Sequence, residues 1–191
     1  MKLLEDRIRK EGKVIGSDIV KVDSFLNHQM DPELLDQMAE EFARLFKDAG
    51  ITRVLTIEAS GIAIAVLTAL HMHVPAVFAK KSVSSNIGDD YYTARVHSFT
   101  HHTDHDVILS KNYLSKEDTV LLIDDFLATG EAIDGLTALC KEAGAKVGGV
   151  GICVEKAFQG GGRQLREKGY HVESLASIAS IQDGVIRFTE E

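Results

Sequence analysis

The stretch Thr119-Val-Leu-Leu-Ile-Asp-Asp-Phe-Leu-Ala-Thr-Gly-Glu-Ala132 reads as strand, acidic pair, small-residue turn and helix. Val120 to Ile123 are four apolar residues between polar flanks, the pattern of a strand buried on both faces of a parallel sheet. Asp124 and Asp125 end that strand, and Ala128-Thr129-Gly130 leave backbone amides open to a ligand. From Glu131 to Cys140, the residues Ile133, Leu136, Leu139 and Cys140 recur at helical spacing. A helix N-terminus with free amides is an anion site. Two carboxylates at a strand's C-terminal end accept hydrogen bonds from a vicinal diol. Together they suit a ribose 5-phosphate, with phosphate in the turn and the ring hydroxyls on the acids. The same residues also describe a plain strand-to-helix connection in which an Asp caps the helix, and spacing alone leaves both readings open. Neither a Walker A loop nor GxGxxG is present.

Working outward, the strand–turn–helix plan recurs upstream. Thr52 to Ile57 reads as a strand, Glu58-Ala59-Ser60-Gly61 as a small-residue turn, and Ile62 to Leu70 as a strongly apolar helix. Before it, Asp31-Pro32 opens a helix with a capping Asp and Pro at its first position, and Gly50 closes the segment. Its apolar stripe is Leu34, Leu35, Met38, Phe42, Leu45 and Phe46. Pro75 to Ala79 is a short strand that ends in Lys80-Lys81-Ser82. Downstream, Lys146 to Val154 is a glycine-containing strand followed by Glu155-Lys156-Ala157-Phe158, where α/β sheets collect ligand groups. Gly160-Gly161-Gly162 reads as a flexible turn before a short helix over Arg163–Lys168.

The remaining segments are less regular. Residues 2–11 predict an amphipathic helix, and strand-like pieces follow at Val14-Ile15 and Ile19–Val22. Asn27, beside Phe25 and Leu26, is a turn former or an amide offered to a purine edge. Thr93–Phe99 and Asp106–Leu109 alternate as a hairpin, with His101-His102-Thr-Asp-His105 at its polar tip. That cluster lacks the spacing of a metal site and is read as the tip alone. His171–Ile181 and Val185–Phe188 are strands joined by an Asp-Gly turn at Gln182-Asp183-Gly184.

The alternation of strand and helix from 31 to 154 predicts an α/β fold, a parallel sheet flanked by helices and wound right-handedly. At 191 residues the chain fits one domain, 1–191, able to bury a full core. It is 45% hydrophobic and 26% charged, an ordinary globular balance. A formal net charge of -8 without a Lys/Arg block argues against a nucleic-acid surface. The N-terminus has no apolar signal region and no stretch suits a membrane helix, so a cytoplasmic protein is expected. Cys140 and Cys153 both sit in apolar patterns and read as buried thiols.

Residues Val120 to Ala132 resemble the phosphoribosyl-diphosphate signature of the type I phosphoribosyltransferases, contiguously over the whole segment. The likeness extends along the chain. Lys21-Val-Asp-Ser-Phe-Leu-Asn-His-Gln29, Thr56-Ile-Glu-Ala-Ser-Gly-Ile62 and Gly151-Ile-Cys-Val-Glu-Lys-Ala-Phe-Gln159 resemble the bacterial branch of that family that uses xanthine.

The resemblance implies a type I phosphoribosyltransferase-like fold with a small hood formed from about 1–30 and 155–191 over the sheet's C-terminal edge. It implies transfer of a phosphoribosyl group from phosphoribosyl diphosphate to xanthine, with Asp124 and Asp125 as the catalytic ribose acids. Ala128, Thr129, Gly130, Glu131 and Ala132 would hold the 5-phosphate. Ser60, Gly61 and Lys81 would take the diphosphate, and Val20, Asn27, Lys156 and Phe158 would face the base. It implies a lid over residues 83–92, magnesium carried with the diphosphate, no tightly bound cofactor, no protein metal site and a homodimer. Glu58 is an odd neighbour for a diphosphate. The alternatives are a guanine/hypoxanthine or adenine enzyme, or a non-catalytic purine-sensing regulator. Regulators of that kind carry a DNA-binding domain, and no helix-turn-helix is seen before residue 31.

Overall fold

The computed structural model describes residues 1–81, 90–98 and 103–189. The N-terminal segment consists of α1 (Lys2–Glu11), the short strands β1 (Lys13–Ile15) and β2 (Ile19–Lys21), and a π-helical turn over Asp23–Asn27. The first of the alternating units follows: α2 (Pro32–Leu45), β3 (Arg53–Ile57), α3 (Ile62–Met72) and β4 (Ala76–Ala79). A hairpin of β5 (Tyr91–Ser98) and β6 (Thr103–Ser110) leads to β7 (Thr119–Leu127), α4 (Glu131–Ala143) and β8 (Lys146–Lys156). The chain ends in α5 (Gly161–Glu167), β9 (Val172–Gln182) and β10 (Val185–Phe188).

The local signals act as their chemistry dictates. Asp31 Oδ1 accepts the Leu34 amide at 3.2 Å, and Pro32 fills the first position of α2, whose own amide would have no intrahelical partner. Gly144 ends α4 at φ 73°, a left-handed conformation that places its amide on the Cys140 and Lys141 carbonyls.

Six strands form the central sheet in the order β10-β9-β8-β7-β3-β4. All pairs are parallel except β10 with β9. β7 is buried on both faces because each face meets its own helical layer. Leu121 and Ile123 join Leu4, Ile8, Met38 and Phe42 of α1 and α2 in one core. Val120 and Leu122 join Ile133, Leu136 and Leu139 of α4 in the other. Truncating one of these leucines to Ala costs about 2–5 kcal/mol. Gly151 lets α2 approach closely, since a Cβ there would lie 2.6 Å from Ile123 Cδ1 and 2.9 Å from Phe42 Cδ1.

Two details differ from the sequence reading. Asp124 and Asp125 do not end β7, which runs on to Leu127, because β8 stays paired beside it through Leu127↔Glu155. The triple glycine is not a flexible turn: Gly161 and Gly162 are buried and form the start of α5. The two terminal segments touch one another. The Met1 ammonium donates to the Leu175 carbonyl of β9, and Arg9 lies over the Phe188 ring at 4.6 Å. β9 and β10 themselves continue the central sheet.

Candidate active site at the carboxyl edge of the sheet

β3 and β7 are parallel neighbours, but their connections leave in opposite directions, β3 toward β4 and β7 toward β8. Such a reversal opens a crevice at the strands' C-terminal ends. The two small-residue turns, Glu58–Gly61 and Ala128–Gly130, flank it.

Asp125 is the meeting point. Its Oδ1 accepts the Ser60 hydroxyl at 2.9 Å, and its Oδ2 accepts the Asn27 amide at 3.0 Å. Asn27 reaches it from the π-helical turn, whose Phe25 and Leu26 are buried and anchor that turn to the core. Asp124 is 5% exposed and Asp125 7%. Asp124 Oδ1 accepts the backbone amide of Asp125 at 3.0 Å. Burial, and then the charge of Asp125, push the Asp124 carboxyl well above its ordinary value. The upstream turn presses on it. A Cβ on Gly61 would stand 2.1 Å from Thr56 Oγ1 and 3.3 Å from Asp124 Oδ1, so no larger residue fits.

The downstream turn has the geometry of an anion cradle. Gly130 adopts φ 103°, which turns the chain from β7 into α4. The first amides of a helix lack carbonyl partners within it, and here they border the crevice. Thr129 Oγ1 donates to Glu131 Oε1, which ties the turn's hydroxyl to the helix start.

Glu58 ceases to be an anomaly. Its Oε1 accepts the Lys81 backbone amide at 2.7 Å, and its own amide donates to the Ala79 carbonyl at 3.0 Å. The carboxylate thus pins the end of β4 and places exposed Lys81 next to the turn. The Lys81 charge acts in turn on Asp124, pulling against its raised pKa. The peptide between Glu58 and Ala59 is cis.

Val20 is buried in β2, and Lys156 closes β8 half-buried. Lys156 Nζ lies 5.7 Å from the centre of the Phe126 ring. Burial pushes this ammonium's pKa down, while Asp18, in the turn between β1 and β2, pulls it up. Phe158 sits in the short turn Ala157–Gln159 and is 40% exposed. The structure therefore joins Asn27 to Asp125 and Lys156 to Phe126. Phe126 was not singled out from sequence. An aromatic residue inside a strand reads as core, and only the crossing of β7 and β8 side chains reveals its contact with Lys156.

Of the segment read as a lid, residues 83–89 lie outside the described residues, and Tyr91 and Tyr92 belong to β5. His101 and His102 also lie outside them. Among the described residues no group of three or more His, Cys, Asp or Glu side chains is arranged to hold a metal ion, and no helix is long and apolar enough to cross a membrane. Cys140 and Cys153 are free and buried, and burial raises the Cys140 thiol to about 12.

Comparison with known proteins agrees with this geometry. Residues 13–188 match the family described as Phosphoribosyl transferase domain. The chain is 54% identical over 190 residues to a xanthine phosphoribosyltransferase of Ruminiclostridium cellulolyticum, covering 100% of both. It is 51% identical over 191 residues to one of Oceanobacillus iheyensis, covering 100% of this chain and 98% of the relative. Among solved structures, APRTase from Giardia lamblia complexed with 9-deazaadenine superposes with a TM-score of 0.77 at 24% identity, over 91% of this chain and 97% of that one. Adenine phosphoribosyltransferase from Rhodothermus marinus gives 0.76 at 20% identity, over 93% and 100%. At these identities the solved structures speak to the fold alone. A match over nearly the whole length, with both small-residue turns at one crevice, leaves one assignment: the chain belongs to the phosphoribosyl transferase domain family.

Proposed function

We propose that the protein is a xanthine phosphoribosyltransferase of purine salvage, converting xanthine and 5-phosphoribosyl 1-diphosphate to xanthosine 5-monophosphate and diphosphate. The observation that carries the reading is the convergence of three segments on Asp125: the hood through Asn27, the upstream turn through Ser60, and the strand that leads into the phosphate turn. Full-length relatives at about 50% identity that bear the xanthine name support the choice of base.

In the reaction the bond from the anomeric carbon to diphosphate breaks, N9 of xanthine bonds to that carbon, and the N9 proton passes to solvent. The transition state resembles an oxocarbenium ion. The protein's part is position and electrostatic support rather than covalent chemistry. The 5-phosphate rests on the amides of residues 128–132. The ribose hydroxyls take the place of the Asn27 and Ser60 donors on Asp125, and Asp124 lies beside them. Ser60, Gly61 and Lys81 receive the diphosphate. The freed Asn27 amide, with Val20, Lys156 and Phe158, faces the purine. Lys156 has only hydrogens to donate, which suits the 6-oxo group of xanthine and disfavours the 6-amino group of adenine.

A magnesium ion fits this edge as a companion of the substrate. Magnesium keeps several waters and binds through one or two carboxylates plus phosphates, and Asp124 and Asp125 are a pair rather than a cage. When bound, the ion would neutralise charge on the leaving diphosphate. A homodimer is supported by the apolar surface of α3 and edge strand β4, where Val66 (51%), Leu70 (62%) and Phe78 (40%) are exposed. Two free buried thiols suit the reducing cytoplasm.

The test is product formation from xanthine, guanine, hypoxanthine and adenine with phosphoribosyl diphosphate and magnesium. Xanthine is expected to have the highest kcat/KM. A higher value for any other base would overturn the assignment.

A further inference from the structure

The buried glycines Gly161 and Gly162 have no part in the chemistry described so far, yet they are built against the phosphate turn. Gly161 donates its amide to the Ala128 carbonyl at 3.1 Å. A Cβ on Gly161 would lie 2.5 Å from Ala128 O, 2.7 Å from Thr129 C and 2.9 Å from Thr129 O. These are backbone atoms of the turn itself, so no side-chain rearrangement relieves the contact. The approach is mutual, for a Cβ on Gly130 would stand 3.8 Å from Gly161 Cα.

The helix that carries Gly161 is locked in turn. Arg166 of α5 binds the Glu155 carboxylate through two bonds of 2.9 Å each. Glu155 is 3% exposed, and Ser174 of β9 donates to its Oε2 at 2.6 Å. Arg166 also donates to the Val172 carbonyl at 3.3 Å. Gly162 makes room for this pair: a Cβ there would fall 1.9 Å from Glu155 Oε1 and 2.7 Å from Arg166 Nη1. Glu155 is in register with Leu127, the residue just before the phosphate turn. Glu155 is buried while the Arg166 side chain is 43% exposed, and the two parallel bonds between guanidinium and carboxylate fix one geometry for the pair.

We propose that Gly161, seated by the Glu155–Arg166 pair, is a positioning residue for the 5-phosphate turn Ala128–Gly130. The turn has a second wall, supplied by α5, that keeps its amides aimed at the phosphate. This rests on the phosphoribosyl transfer reading above. An error of about 1 Å in such a site costs on the order of a hundredfold, which is why a bidentate lock on a short surface helix matters here.

The experiment compares Gly161→Ala, Arg166→Met, Arg166→Lys and a matched overpacking control, Gly148→Ala. A Cβ on Gly148 meets Ile51 Cδ1 at 2.6 Å and Thr119 Cγ2 at 2.8 Å, at the opposite end of β8. Calorimetry with ribose 5-phosphate, Tm, and KM for both substrates are measured. Gly161→Ala is expected to weaken ribose 5-phosphate binding and raise KM for phosphoribosyl diphosphate at least about tenfold, with KM for xanthine changed less than about threefold. Arg166→Met should shift the same quantities in the same direction, and Arg166→Lys should recover part of the loss. Gly148→Ala should lower Tm and leave both KM values near the parent's. Unchanged ribose 5-phosphate affinity in Gly161→Ala, or equal rises in both KM values, would overturn the proposal. If Gly161→Ala does not fold, Arg166→Met decides in the same way. Failure of the parent protein to bind ribose 5-phosphate would instead overturn the functional reading itself.

Discussion

The amide of Asn27 donates to Oδ2 of Asp125 at 3.0 Å, across 98 residues of chain. One group belongs to the N-terminal segment and the other to β7, so the contact ties that segment to the central sheet. Replacing Asn27 by Asp sets two carboxylates against each other at a site where Asp125 is 7% exposed. Like charges this close cannot both ionise freely. Asn27→Asp is expected to lower Tm more at pH 8 than at pH 5, where a shared proton relieves the repulsion. It should also lower kcat/KM at least about tenfold. Thermal denaturation at the two pH values checks it; an equal loss of Tm at both would show that the contact carries no charge coupling.

Asp124 keeps a carboxyl where burial and a neighbouring charge disfavour its ionisation. Its folded pKa lies above the unfolded value of about 3.9, because of burial and then the charge of Asp125. Stability from such a group is fully present below the unfolded pKa and is lost as pH rises through the folded one. Asn cannot ionise. Asp124→Asn should therefore match the parent's Tm near pH 4 and exceed it by at least about 2 °C at pH 8. The double variant Asp124→Asn with Asp125→Asn should fold and lose at least about tenfold in kcat/KM for phosphoribosyl diphosphate, since charged hydrogen bonds are worth about 1.5–3 kcal/mol each. Near-parent kinetics in that folded variant would remove the ribose role.

Gly130 tests the anion cradle through conformation rather than space. A Cβ there would find only ordinary contacts, at 3.8 Å and 3.9 Å, but φ is 103°. Gly130→Val should therefore distort the turn, with a backbone penalty of about 1–3 kcal/mol, and weaken ribose 5-phosphate binding at least about tenfold. Calorimetry on the folded variant is the measurement, and parent-like affinity would place the phosphate elsewhere.

Lys156 tests the base. Lys156→Met keeps an unbranched, flexible side chain one atom shorter while removing the donors and the charge over Phe126. It is expected to lower kcat/KM for xanthine at least about tenfold, with sugar-diphosphate binding unchanged and adenine less affected. Steady-state kinetics with four bases decides. An equal fall for all bases would move base selection to Val20, Asn27 and the hood.

Much of this was legible in order along the chain. The run Val120–Ile123 announced a strand buried on both faces, Asp31-Pro32 a helix start, and the small-residue stretches the two strand-to-helix turns, because each is a local property of side-chain size, polarity and backbone freedom. What local pattern could not supply was partnership. Nothing in sequence links Asn27 with Asp125, Glu58 with the Lys81 amide, or Gly161 with Ala128, for these contacts depend on which strands lie side by side and where their connections reverse. Glu155 and Gly160–Gly162 show the limit most clearly. Read singly, they are an acid at a strand end and a loose turn; only the packing of α5 against β8 and β9 buries the acid beneath Arg166 and sets Gly161 close against the turn at Ala128–Gly130. Sequence determined the elements and the residues able to meet a sugar phosphate, whereas the tertiary structure decided which of them hold one another, because burial and charge pairing arise only when distant segments share one volume.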